Sequence, residues 1–155
     1  MLRFPYQDEL LTGPPPPSMP VNANVRWRPL VPITIFGPGG LFRDFGRAVV
    51  DPAADDTVFP LDTAQRLGVQ LRPDTGHRVR WRGQSHPLRF GDAELVLTDN
   101  IVVWRWSAVI GFSPAPLRYP ILGQSGCLQF MDVNFWGADR MVEMEINRTY
   151  PGMSA

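Results

Sequence analysis

Asp51 stands directly after the apolar run Ala48-Val49-Val50. A turn of small residues, Pro52-Ala53-Ala54, then leads through Asp55-Asp56 into a second apolar run, Thr57-Val58-Phe59-Pro60-Leu61. A carboxylate costs free energy when taken out of water, so core packing would not select one there. Two readings stand side by side. Either a rigid scaffold holds Asp51 at a fixed point where a reaction or a ligand needs it, or Asp51 is a solvated turn residue closing a hairpin.

The remaining reactive residues are sparse. Asp55 and Asp56 adjoin Asp51, and hard cations favour clustered carboxylates, but the segment lacks the alternating ligand spacing of a calcium loop. His77 and His86 lie on opposite arms of one hairpin, where polar hairpin positions explain them as well as a metal does. No metal and no cofactor are expected. Cys127 is the single cysteine, which excludes an internal disulfide or a zinc site built on several thiolates. Its neighbours Leu128 and Phe130 suggest a small buried hydrophobe. Trp104-Arg105-Trp106 would suit base stacking only in isolation; in a strand the two indoles share one face, as in a core or a subunit contact. Gly37-Pro38-Gly39-Gly40 lacks the Lys-Ser/Thr of a phosphate loop and is expected to be a turn.

The composition narrows the field further. With 155 residues, 44% apolar and 19% charged, the chain fits one globular domain. Fifteen arginines balance fifteen carboxylates, so no global basic field invites nucleic acid. No segment approaches the roughly 20 apolar residues of a bilayer span, and Met1-Leu2-Arg3-Phe4-Pro5 does not open a signal peptide. A cytoplasmic protein without membrane or nucleic-acid partners is expected.

The elements that must position Asp51 are mostly strands, because 17 prolines and 14 glycines leave few windows for helix. Gly13-Pro14-Pro15-Pro16-Pro17 is extended or polyproline II, and residues 1–20 read as an arm outside the core, with residues 21–155 forming the domain. Strands are expected at Val31–Phe36, Arg47–Val50 and Thr57–Pro60. A short helix follows over Asp62–Leu67, with Asp62 as N-cap and Gly68 as stop. His77 to Phe90 reads as a hairpin in which Val79 and Trp81 alternate with arginines and Gly83-Gln84 makes the turn. Further strands are expected at Ala93–Leu97, Ile101–Ile110, Met131–Phe135 and Arg140–Ile146, the last two pairing across residues 136–139. Many short strands with one or two short helices indicate an all-β domain, closed or sandwich-like.

This ordered set resembles the retropepsin-like aspartic proteases, the single-domain relatives of the retroviral protease. Asp51-Pro52-Ala53-Ala54-Asp55-Asp56-Thr57-Val58-Phe59-Pro60 fits the family's D-[TS]-G-A frame, and Gln65-Arg66-Leu67-Gly68 falls at its helix ending in L-G. Ile121-Leu122-Gly123-Gln124-Ser125-Gly126-Cys127-Leu128 matches the second signature, an apolar pair and a glycine leading into a short helix. The resemblance covers about residues 31 to 146. It implies a closed acid-protease barrel, a flap at Trp81, Arg82, Gly83 and Gln84 closing over an extended peptide, and a homodimer with one catalytic Asp51 per chain. The turn departs from the family at two positions. Pro52 replaces the Thr or Ser whose hydroxyl bonds across the two-fold axis, and Ala53 replaces the glycine that lets the two turns approach. The resemblance therefore implies an aspartic endopeptidase homologue with weak or lost proteolysis, or a non-catalytic peptide-binding or assembly module on the same fold.

Overall fold

The computed structural model describes residues 1–154, and they are predominantly β. The strands are β1 (Leu2–Pro5), β2 (Gln7–Leu10), β3 (Val25–Arg28), β4 (Leu30–Phe36), β5 (Phe42–Val50), β6 (Val58–Pro60), β7 (Arg78–Trp81), β8 (Gln84–Pro87), β9 (Arg89–Thr98), β10 (Val103–Ser113), β11 (Ile121–Leu122), β12 (Met131–Trp136), β13 (Met141–Ile146) and β14 (Met153–Ser154). One α-helix, α1 (Leu61–Leu67), and one 3₁₀ turn, Leu128–Phe130, complete the set.

Six strands close into a barrel in the order β10-β6-β11-β5-β4-β9, with β9 pairing back to β10. Closure pairs both edges of each barrel strand, and period-2 alternation fills the interior. Along β9, Ala93, Leu95 and Leu97 point inward while Asp92, Glu94 and Val96 point away; along β10, Trp104, Trp106, Ile110 and Phe112 are buried. The Trp106 indole N–H donates to the Gly126 carbonyl at 2.8 Å, which satisfies its polar edge inside the core. The two tryptophans thus belong to the interior. Cys127 is fully buried, and burial pushes its thiol up to about 12, an inert core residue.

Two parallel pairings decide the topology around Asp51. Strand β11 lies parallel to β5, and β6 lies parallel to β10. Because β11 is inserted between β5 and β6, the segment joining those two strands must arch over the end of β11. Asp51 is the first residue of that arch.

Several expectations are corrected. Residues 1–20 are not an arm outside the core at their start: β1 pairs antiparallel with β13, and Leu2 and Phe4 are 0% and 4% exposed. Burying two such side chains contributes about 2 kcal/mol each, enough to dock a four-residue strand. Strands β2 and β3 form a separate hairpin whose long loop carries the prolines. Asp62 does not cap α1. Pro60 holds the cap position without a side-chain bond, and Asp62 sits in the first turn, paired with Arg43 and Arg66 at 3.7 Å each. Proline suits a helix start because its fixed φ needs no donor there. The helix expected after Gly123 shrinks to the three-residue 3₁₀ turn.

The hairpin turn also slips by one residue. Arg82 and Gly83, not Gly83 and Gln84, occupy its centre, with φ of 50° and 78°. Positive φ at both central positions marks a type I′ turn, whose twist matches that of paired strands. Gln84 is already in β8, opposite Trp81.

Candidate active site

The backbone fixes both ends of the Asp51 arch. Asp51 N–H donates to the Leu122 carbonyl at 3.0 Å, extending the β5–β11 register by one bond. On the far side, Ser125 N–H donates to Asp55 O at 2.8 Å and Thr57 N–H to Ser125 O at 3.0 Å, a parallel bridge between Asp56 and Ser125. Beneath the arch, the buried Thr57 hydroxyl accepts the Gly123 N–H at 3.2 Å and donates to the Gly123 carbonyl at 3.4 Å. Gly123 must be glycine here: a Cβ would collide with the backbone of Asp56 and Ala54. Leu122 and Gly123 thus work as a floor, holding the arch from below.

The Asp51 carboxylate stands above that floor, half-buried. Its Oδ1 accepts the Ala53 N–H at 3.0 Å, and Ala54 N–H donates to the Asp51 carbonyl at 3.1 Å. Ala53 therefore supplies a backbone donor to the carboxylate. Pro52 and Ala53 are exposed at the apex. The Pro52 carbonyl accepts the Gln124 side-chain amide at 2.9 Å.

A cleft of about 460 Å³ opens over the arch. Asp51, Ala53, Ala54, Asp55, Asp56, Val58 and Ile121 line one side, and Arg78, Val79, Arg80, Trp81 and Leu88 line the other. Asp51 and Trp81, expected to share a site, do share this cleft. Arg82, Gly83 and Gln84 lie at the hairpin tip beyond the lining, and Pro52, Leu122 and Gly123 support the site without lining it. The Trp81 indole N–H is buried with no hydrogen-bond acceptor among the described residues, while the Arg82 guanidinium lies 5.7 Å from its ring centroid. Arg78 is turned onto its own hairpin, donating to the Ser85 hydroxyl at 2.6 Å and to the Ser85 carbonyl at 3.1 Å.

Burial, reinforced by the adjacent Asp55 charge and opposed by His77, raises Asp56 above the ordinary carboxylate range. His77 itself bonds the Thr75 hydroxyl at 2.6 Å and meets Phe90 edge-on, while His86 stands opposite Val79. Among the described residues, no three His, Cys, Asp or Glu side chains gather as metal ligands. Among the described residues, no helix is long and apolar enough to cross a membrane.

Reading the sequence missed Thr57 and Gln124. Thr57 carries a signal: a hydroxyl amid Val58 and Phe59 must be buried and needs partners. Gln124 carries none, since an exposed amide beside a glycine reads as surface. No protein-family profile, curated protein or solved structure matches the chain, which leaves the residues of the cleft to carry its function.

Proposed function

We propose that the chain is a retropepsin-like aspartic endopeptidase homologue, acting as a homodimer with one Asp51 from each copy, whose proteolysis is weak or lost. The observation that carries this reading is the Asp51 carboxylate at the base of a cleft beneath a hairpin, its Oδ1 fixed by the Ala53 N–H. The six-stranded closed barrel, with Ile121-Leu122-Gly123 under the Asp arch, supports it.

In this mechanism a two-fold axis sets the same carboxyl on both sides of the seam. Two carboxyls in one site do not both ionise readily, so they hold one proton between them and titrate as a pair. The ionised member takes a proton from water as that water attacks a peptide carbonyl, whose oxygen receives the proton of the protonated member. The tetrahedral intermediate then collapses. One of its hydroxyls returns a proton to the dyad while the dyad protonates the nitrogen as the C–N bond breaks, leaving an acid and an amine. Hairpin β7–β8 closes over an extended peptide held by strand-like backbone bonds, with Trp81 against it.

Pro52 and Ala53 favour the weaker outcome. Pro52 brings neither hydroxyl nor N–H to the seam, and the exposed Ala53 methyl stands where the partner turn would pass. The second reading, a non-catalytic peptide-binding or assembly module, rests on the same two residues. The test is cleavage of a broad peptide library at acidic pH, with pepstatin and Asp51→Asn as controls and sedimentation to follow the dimer. The expected result is slow or absent cleavage by the parent and gained, Asp51-dependent cleavage by Pro52→Thr with Ala53→Gly. A monomer at every concentration, or cleavage unchanged by Asp51→Asn, overturns the protease reading. A dimer that binds peptides yet gains no cleavage in the repaired variant selects the binding module.

A further inference from the structure

The Asp51 arch is held at its two feet but has little to grip at its apex. Proline contributes no N–H and no hydroxyl, so Pro52 offers only its carbonyl to the rest of the fold. Gln124 takes that carbonyl, with Nε2 donating at 2.9 Å. Gln124 is itself anchored by its backbone: its N–H donates to Ala54 O at 2.9 Å, and its carbonyl accepts Gln129 N–H at 2.9 Å.

The Pro52 carbonyl and the Ala53 N–H belong to one peptide unit. That unit is planar and trans, as no cis bond occurs among the described residues, so its C=O and N–H point in opposite directions. Fixing the carbonyl on one side therefore aims the N–H on the other, and the Ala53 N–H points at Asp51 Oδ1. We infer that Gln124 is a positioning residue for the Asp51 carboxylate: its side-chain amide clamps the Pro52–Ala53 peptide plane and thereby directs the Ala53 N–H onto Asp51 within one chain. This clamp works in a single copy, and it holds whether or not Asp51 acts on a peptide.

The experiment is amide hydrogen exchange by NMR on the full chain, comparing the parent with Gln124→Met, Gln124→Glu and Gln124→Arg. Methionine and glutamate keep roughly the size of glutamine and remove the donor; arginine keeps a donor. Losing one hydrogen bond of ordinary net strength should speed Ala53 exchange about three- to tenfold in the first two variants. The Ala53 amide proton, shifted downfield by a carboxylate acceptor, should move upfield with it. Core amides at Leu95 and Val142 should keep their protection, and Gln124→Arg should return Ala53 to the parental rate. Parental Ala53 exchange in both donor-less variants overturns the inference, as does an Arg variant no better than Met. If core protection collapses in both donor-less variants, Gln124 supports the whole barrel rather than the Asp51 carboxylate, and the inference fails.

Discussion

The two walls of the cleft are built on opposite plans. The Asp51 side is stitched to the barrel by parallel pairing, backbone bonds on both flanks and a buried hydroxyl bonded twice to Gly123. The hairpin side, β7–β8, is a two-stranded sheet of its own with no fully buried residue, whose strands pair, among the described residues, only with each other. An isolated hairpin is marginal in water, so it opens at lower free energy than the barrel. The contrast teaches that one wall holds a carboxylate still while the other is free to move against it.

The largest expected effect comes from Gly123→Ala. A Cβ there meets the backbone of Asp56 and Ala54, which cannot step aside as a side-chain tip can. The urea midpoint should fall by the equivalent of about 3 kcal/mol or more. A parental midpoint would show that the floor is as pliable as the hairpin. Thr57→Val should come next, because it keeps the shape but strands two buried groups of Gly123. The expected loss is about 1–3 kcal/mol, read from the same unfolding curve.

Gly83→Ala sharpens the other half of the contrast. A methyl at φ 78° costs about 1 kcal/mol, confined to the hairpin. Exchange of the Val79 and His86 amides, which face each other across the hairpin as a hydrogen-bonded pair, should quicken while the urea midpoint stays put. A midpoint that moves with the hairpin would merge the two walls into one cooperative unit.

The smallest effect is a pH signature that separates the cleft from a remote ion cluster. Asp56 has a raised folded-state pKa, chiefly from burial, so it favours folding below the ordinary carboxylate range and loses that contribution as pH rises through its folded value. Glu9 runs the other way. Its partial burial raises it, but the Tyr119 hydroxyl at 2.8 Å and the Arg28 and Arg118 charges outweigh burial and hold it low. Its stabilising contribution is present above the ordinary range and lost as pH falls through the folded value. Asp56→Asn should therefore raise the midpoint slightly at pH 7 and leave it unchanged at pH 3. Glu9→Gln should lower the midpoint at pH 7, by less and less as pH falls through the folded value of Glu9.

The sequence made some of this legible and hid the rest for physical reasons. The strands flanking Asp51, the stop at Gly68 and the hairpin around Gly83 rest on local signals of alternation, positive φ and turn chemistry, and all appear close to where those signals put them. Strand β1 was hidden because two apolar residues beside Pro5 say nothing until β13 lies next to them. The same holds for Glu9, whose partners Arg118 and Tyr119 come from a distant loop. The cap at Asp62 misled because Pro60 fits the helix start as well. At the candidate site, Asp51 was conspicuous as an acid among apolar neighbours, whereas Gln124 acquires meaning only through the parallel register that brings it over Pro52.

The pairing of β1 with β13 joins segments that lie near opposite ends of the described chain. On the ribosome, β1 emerges long before β13 exists, so Leu2 and Phe4 wait with their backbone edge unpaired until β13 is made. Loop closure penalises the final stability little, since each doubling of loop length adds only about 0.6 kcal/mol. It weighs instead on the rate, because such distant contacts form late and leave a sticky strand open to neighbouring nascent chains.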